Sequence, residues 1–324
     1  MRLILQRLIV VAVTIHFSTA MADELTAPPW LFPLDPPVSK PRVAYDDVVK
    51  LSIPGSDVAY TQARINNPYF APDWHPLDHS PMPDIVAFGR APDVMACAYC
   101  HTPTGQGRPE NSPLAGLSAE YIEEQLLNLR SGARRPVGPE SYLPMQAMHR
   151  LSVYLSNTEI KAAAEYFSRQ KLAPRVEVIE RARIPRVMQA AWTYKTTEEG
   201  GEEDLGQRII EIAPDFTRHE RRDDRMRYIA YVPPGSVEKG KVLVNTGGAG
   251  ITQSCAGCHD VDLRGTSIGP PIAGRSPSYV LRQLVAFRQN TRTTARAQMM
   301  QPVVEKLTLD EMLAMAAYIA SLPP

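Results

Sequence analysis

The chain has 324 residues, 44% hydrophobic and 22% charged, with 35 basic and 35 acidic side chains. That length holds two ordinary domains with real cores. The balanced charge excludes the basic field that a nucleic-acid backbone requires.

Arg2 and Arg7 flank an apolar run that continues through Leu8 to Val13, and Ala20-Met21-Ala22 follows as a small-x-small cleavage site. This is the pattern of a secretory signal, too short and too interrupted by His16 to span a bilayer. We expect residues 1–22 to be removed, leaving a mature chain that starts at Asp23 and works in the oxidising periplasm. Residues 23–81 then form an arm, with Pro28, Pro29, Pro33, Pro36, Pro37 and Pro41 in its first third, expected to be extended or irregular. In Trp74-His-Pro-Leu-Asp-His79, the two histidines read as loop or surface residues rather than ligands.

Next comes Cys97-Ala-Tyr-Cys-His101, and far downstream Cys255-Ala-Gly-Cys-His259 repeats it; these clusters hold all four cysteines of the chain. A redox dithiol would leave the histidine after the second cysteine incidental, twice over. A structural zinc site closes with four ligands, whereas each cluster supplies three and no further cysteine exists. Covalent haem attachment uses every residue: two thiols one helical turn apart add to the two vinyl groups of a porphyrin, and the adjacent histidine reaches the iron. Two covalent haem c groups are therefore expected, on Cys97, Cys100 and His101 and on Cys255, Cys258 and His259.

Behind the first cluster lie Pro113-Leu-Ala-Gly116 and Ser118-Ala-Glu-Tyr121-Ile-Glu-Glu-Gln125-Leu126, then Ser156-Asn-Thr-Glu159 before Ile160 to Phe167. Ser118 predicts an N-cap, and Ser156 with Glu159 a capping box opening an amphipathic helix whose stripe is Ile160, Ala163, Ala164 and Phe167. Between the modules, Arg175-Val-Glu-Val-Ile-Glu and Gln207-Arg-Ile-Ile-Glu-Ile are β-prone around Glu198-Glu-Gly-Gly-Glu-Glu-Asp204, so a small sheet or hairpin is expected, with the acidic run as a solvated loop. Behind the second cluster the first pattern returns: Pro271-Ile-Ala-Gly274, Ser276-Pro-Ser-Tyr279-Val-Leu-Arg-Gln283-Leu284, then Thr308-Leu-Asp-Glu311 before Met312, Met315, Ala316 and Ile319. Pro277 suits the first helical position.

A second axial ligand is sought among Met145, Met148, Met299 and Met300. Met148 precedes Leu155-Ser156 by the same seven residues that separate Met300 from Leu307-Thr308, so Met148 and Met300 are the expected thioether ligands. His149 adjoins Met148, but Gln301 stands in the matching place, so the modules share no second histidine.

Together these motifs resemble class I cytochrome c domains, and two in tandem behind a signal are similar to the di-haem cytochromes of the cytochrome c-four type. The resemblance implies a mainly α fold with a first domain over 82–173 and a second over 232–324; the arm over 23–81 and the partly β connector over 174–231 depart from that family. It further implies that Pro113 and Pro271 lie against the histidines, where a backbone carbonyl accepts the Nδ1 proton, and that Tyr121, Tyr279 and the arginines Arg130, Arg134, Arg135, Arg288, Arg292 and Arg296 border the haems. For those arginines a solvated loop face is an equal expectation. Histidine and methionine on one iron leave no open position, which points to periplasmic electron transfer between a dehydrogenase or membrane complex and an oxidase or another cytochrome, without catalysis. A di-haem peroxidase, or a dedicated cytochrome subunit of a dehydrogenase, remains the alternative.

Overall fold

A computed structural model describes residues 26–34 and 47–324; the expected leader, and Pro36, Pro37 and Pro41, lie outside these. Within the arm, Lys50–Leu51 (β1) pairs antiparallel with Tyr60–Thr61 (β2), and the one-turn helix Gln62–Ile65 (α1) follows, its Arg64 amide donating to the Thr61 hydroxyl. Ile53, Ile65 and Trp74 bury one another. The stretch 47–81 is therefore less irregular than its prolines suggest. Trp74 is the reason: 1% exposed, its Nε1 donates to the Arg221 carbonyl at 2.7 Å, so one large side chain gathers the segment and ties it to the connector. The expectation of surface histidines fails with it: His75 is buried and paired with Asp223, and the His79 side chain, against Asp73, is 2% exposed. Both do lie in a loop.

The first helical unit comprises Asp84–Ala87 (α2), Cys97–His101 (α3), Ala119–Ser131 (α4), Leu143–Ser152 (α5) and Asn157–Ser168 (α6). Ser118 caps α4 by accepting the Tyr121 amide, and Ser156 with Glu159 forms the capping box of α6. The α6 stripe buries against Ile122, Leu155 and Val86.

In the connector, Val176–Glu180 (β3), Arg183–Pro185 (β4), Val187–Ala190 (β5), Thr193–Thr196 (β6), Glu202–Asp204 (β7) and Ile210–Ile212 (β8) precede the short helix Phe216–Glu220 (α7) and Tyr228–Val232 (β9). Five strands make one mixed sheet in the order β3-β9-β8-β6-β5, with β3 and β9 parallel. The acidic run is only half the expected loop, because Glu202–Asp204 pairs antiparallel with β4. Fully buried Ile184 and Leu205 draw the two segments together, while Arg183 meets Glu202 and Asp204 on the wet side.

The second unit comprises Ser236–Thr246 (α8), Ala256–His259 (α9), Pro277–Arg288 (α10), Ala295–Gln298 (α11), Gln301–Val304 (α12) and Leu309–Ser321 (α13). Beyond the expected stripe, α13 also buries Leu313, Ala314, Ala317 and Ala320, because it packs against α8, α10 and β3 at once. Gly240 permits this: a Cβ there would run into the Ala314 carbonyl. Among the described residues no helix is long and apolar enough to cross a membrane.

Candidate functional site

Each Cys-x-x-Cys-His cluster winds into a short helix that stops at its histidine, because the next residue, Thr102 or Asp260, turns to positive φ (64° and 74°). Gly107 and Gly265 then fold the chain back, their amides donating to the His101 and His259 carbonyls at 3.0 and 2.8 Å. Both have positive φ and sit so close to the returning segment that a Cβ would lie 2.6 Å from the nitrogen of Pro113 or Pro271. The paired glycines were visible in the sequence as a common six-residue offset from each histidine, and were overlooked.

This return delivers a carbonyl to each imidazole. His101 Nδ1 lies 2.8 Å from the Ser112 oxygen and His259 Nδ1 2.7 Å from the Pro270 oxygen. Those acceptors belong to the residue just before Pro113 and Pro271, not to the prolines. A carbonyl only accepts, so Nδ1 carries the proton and Nε2 keeps its lone pair for a metal. Burial lowers both histidine pKa values, which favours that neutral ring. None of the four cysteines pairs in a disulfide. Burial pushes Cys97 and Cys255 up to about 12, so neither is a ready thiolate for redox exchange.

Each cluster opens into a cleft. The first encloses about 1310 Å³, mouth included, and is lined by Cys97, Cys100, His101, Met145, Met148 and Phe167 among others. The second, of about 1280 Å³, is lined by Cys255, Cys258, His259, Met299, Met300 and Met315 among others. Met148 projects from α5 and Met300 precedes α12, so both expected methionines share a cleft with their histidine. Their neighbours Met145 and Met299 line the same clefts, and Met299 is 48% exposed. His149 lines neither.

Leu117, Tyr121, Gln125, Tyr279 and Gln283 line both clefts, which are back to back across this wall. Arg134 donates to Gln125 at 3.0 Å and to Gln283 at 3.1 Å, while Arg292 donates to the same two amides at 2.8 and 3.2 Å. The two arginines also face each other in an antiparallel backbone bridge. Arg275 reaches from the second unit to the carbonyls of Pro113 and Ala115 in the first. Arg134, Arg275 and Arg292 form no ion pair with a carboxylate among the described residues, and the last two are under 8% exposed. Burial and the charge of Arg292 lower the Arg134 pKa. The solvated face allowed for Arg134 and Arg292 is thus not what they occupy. Buried guanidinium groups without anions call for anions. A haem brings two propionates, so the wall, the apolar clefts, the paired thiols and the neutral imidazoles all fit that group.

Apolar clefts that each present two thiols and a metal-ready imidazole from a Cys-x-x-Cys-His helix define a c-type cytochrome. A family model, Cytochrome c, matches residues 237–323. Cytochrome c-554(548) of Halomonas halodenitrificans is 30% identical over 69 residues, 21% of this chain and 83% of that one. Cytochrome c4 of Pseudomonas aeruginosa is 23% identical over 242 residues, 73% of this chain and 88% of that one. A thiosulfate dehydrogenase electron acceptor of Stutzerimonas stutzeri is 31% identical over 110 residues, 28% of this chain; the match spans about half of that relative, 48%. The chain belongs to the cytochrome c family, with the di-haem cytochromes c4 as its long relatives, and it binds two haem c groups covalently.

Proposed function

We propose that the chain is a periplasmic two-haem relay, in two tandem cytochrome c domains over 82–173 and 232–324, that takes electrons from a dehydrogenase or membrane complex and passes them to an oxidase or another cytochrome. The wall shared by the clefts carries this reading: only a single layer of side chains, from Leu117, Tyr121, Gln125, Tyr279 and Gln283, separates the two sites. Haem iron between imidazole and thioether cycles between ferric and ferrous states at a raised potential. The chain's own part is to hold His101 and His259 in one tautomer, to exclude water with the apolar clefts, and to offer Met148 and Met300 as the distal ligands. A donor of the dehydrogenase kind is favoured by the relative named as an electron acceptor of thiosulfate dehydrogenase.

Electron spin resonance at half reduction, combined with photoreduction of one haem, tests the relay. Both irons stay low-spin, and transfer between them is independent of protein concentration. A high-spin ferric signal accompanied by rapid peroxide consumption would replace the relay by a di-haem peroxidase.

A further inference from the structure

We propose that His75, Asp223 and Asp224 form a buried binding site for one divalent transition-metal ion, Zn²⁺ by preference, separate from both haems. The three side chains belong to residues that are 5%, 1% and 3% exposed, and one ligand atom from each lies within 4.8 Å of the others. None lines a haem cleft.

Two polar atoms of these side chains are buried without a hydrogen-bond partner. Asp224 accepts from Thr104 Oγ1 at 3.0 Å through Oδ2, but its buried Oδ1 has no hydrogen-bond partner. His75 Nε2 lies 3.3 Å from Asp223 Oδ1, a charge contact without the alignment of a hydrogen bond, so it too lacks a hydrogen-bond partner. Leaving such atoms unsatisfied costs about 1–3 kcal/mol each, and one cation answers both. Ligand atoms of a tetrahedral ion with bonds of about 2.0–2.1 Å stand about 3.3 Å apart, which is the spacing found between His75 and Asp223. The Asp223 carboxylate is already oriented: Arg218 Nε donates to its outer oxygen, Oδ2, at 2.5 Å, and Arg225 N to the inward Oδ1 at 2.9 Å. One imidazole nitrogen and two carboxylates supply three of the four ligands of Zn²⁺, with a water as the fourth, whereas Mg²⁺ and Ca²⁺ favour all-oxygen shells.

The ligands come from separate parts of the chain. His75 belongs to the arm and Asp223 and Asp224 to the turn between α7 and β9, while Thr104, which holds Asp224 without being a ligand, belongs to the loop behind the first haem helix. The ion is thus a structural clasp that fastens the arm and connector to the first unit, independently of what the haems do.

The test uses full-length protein carrying both haems. Plasma mass spectrometry counts metal per chain after chelation and after back-titration with Zn²⁺ alone. One zinc beside two irons is expected, and His75→Ala and Asp224→Asn should bind zinc about tenfold or more weaker while keeping the wild-type haem spectrum. Chelation should lower the Tm of the wild type and leave that of Asp224→Asn unchanged. Zinc-edge X-ray absorption on the wild type, which needs no variant to fold, should show one imidazole with oxygen donors. Sulfur or a second imidazole on zinc, no binding by the wild type, or equal binding by wild type and variants would each overturn the site.

Discussion

At Met148 and Met300 the two halves of the molecule differ locally while agreeing in register. Met148 is in the body of α5, whereas Met300 is the residue before α12. Replacing either by alanine should abolish that haem's far-red absorption from methionine on ferric iron and lower its potential in a redox titration, since a soft thioether favours ferrous iron. If Met145→Ala or Met299→Ala does so instead, the seven-residue register assigns the wrong sulfur. Cys97→Ala and Cys255→Ala should each weaken or remove one haem stain on a denaturing gel; unchanged staining in both would contradict covalent attachment. Trp74 is the residue on which the arm depends, and truncating a buried aromatic of this kind costs about 3–5 kcal/mol. Trp74→Ala should accordingly speed proteolysis of the 47–81 stretch before the helical units are cut.

At the level of single elements, the capping boxes allow a direct check. Ser156→Ala and Thr308→Ala should each cost about 1 kcal/mol in denaturant unfolding, because each removes the acceptor for an otherwise free amide of α6 or α13. Glu159 makes the first of these pH-dependent. Arg90, together with the Ser156 amide and hydroxyl, holds its carboxyl down to about 2. The folded value lies below the unfolded one of about 4.3, so its stabilisation is present at neutral pH and is lost as pH falls from about 4.3 towards about 2. Arg90 is 48% exposed and solvent screens the pair, so the effect is about 1 kcal/mol or less. The penalty of Glu159→Gln in urea should shrink steadily over that acid range.

These elements were readable because their signals are local: Ser118 and Tyr121, Ser156 and Glu159, Thr308 and Glu311 are each three residues apart. The haem clusters were readable because the attachment chemistry fits in five residues. What escaped depends on distant partners. Arg134 meets Gln283 from 149 residues away, and Trp74 meets Arg221 from 147. No composition or period distinguishes a buried Arg134 from a solvated one, or shows that Ile184 will recruit the acidic Glu202–Asp204 as its partner strand.

Across the whole molecule, the arginine and glutamine wall couples the two sites. A positive charge beside a haem favours the reduced iron, so Arg134→Gln and Arg292→Gln should lower the haem potentials, and the double variant more than either, without loss of covalent haem. Equal potentials in wild type and double variant would show that the guanidinium groups do not face the cofactors. The wall is built from both units, with Tyr121 and Gln125 contributed by one and Tyr279 and Gln283 by the other.

The parallel pairing of β3 with β9 also bears on the order in which the chain is made. β3 is at the edge of its sheet and has β9 as its single neighbour there. Val176 pairs with Tyr228, so a growing chain carries an unpartnered strand for the time needed to make the residues between, roughly 3–10 s at about 5–20 residues per second. The exposed template contains Val176, Val178 and Ile179, and an open apolar edge recruits other chains. Nascent chains halted just short of Tyr228 should therefore aggregate, with the first helical unit already complete, whereas those released beyond Val232 should stay dispersed.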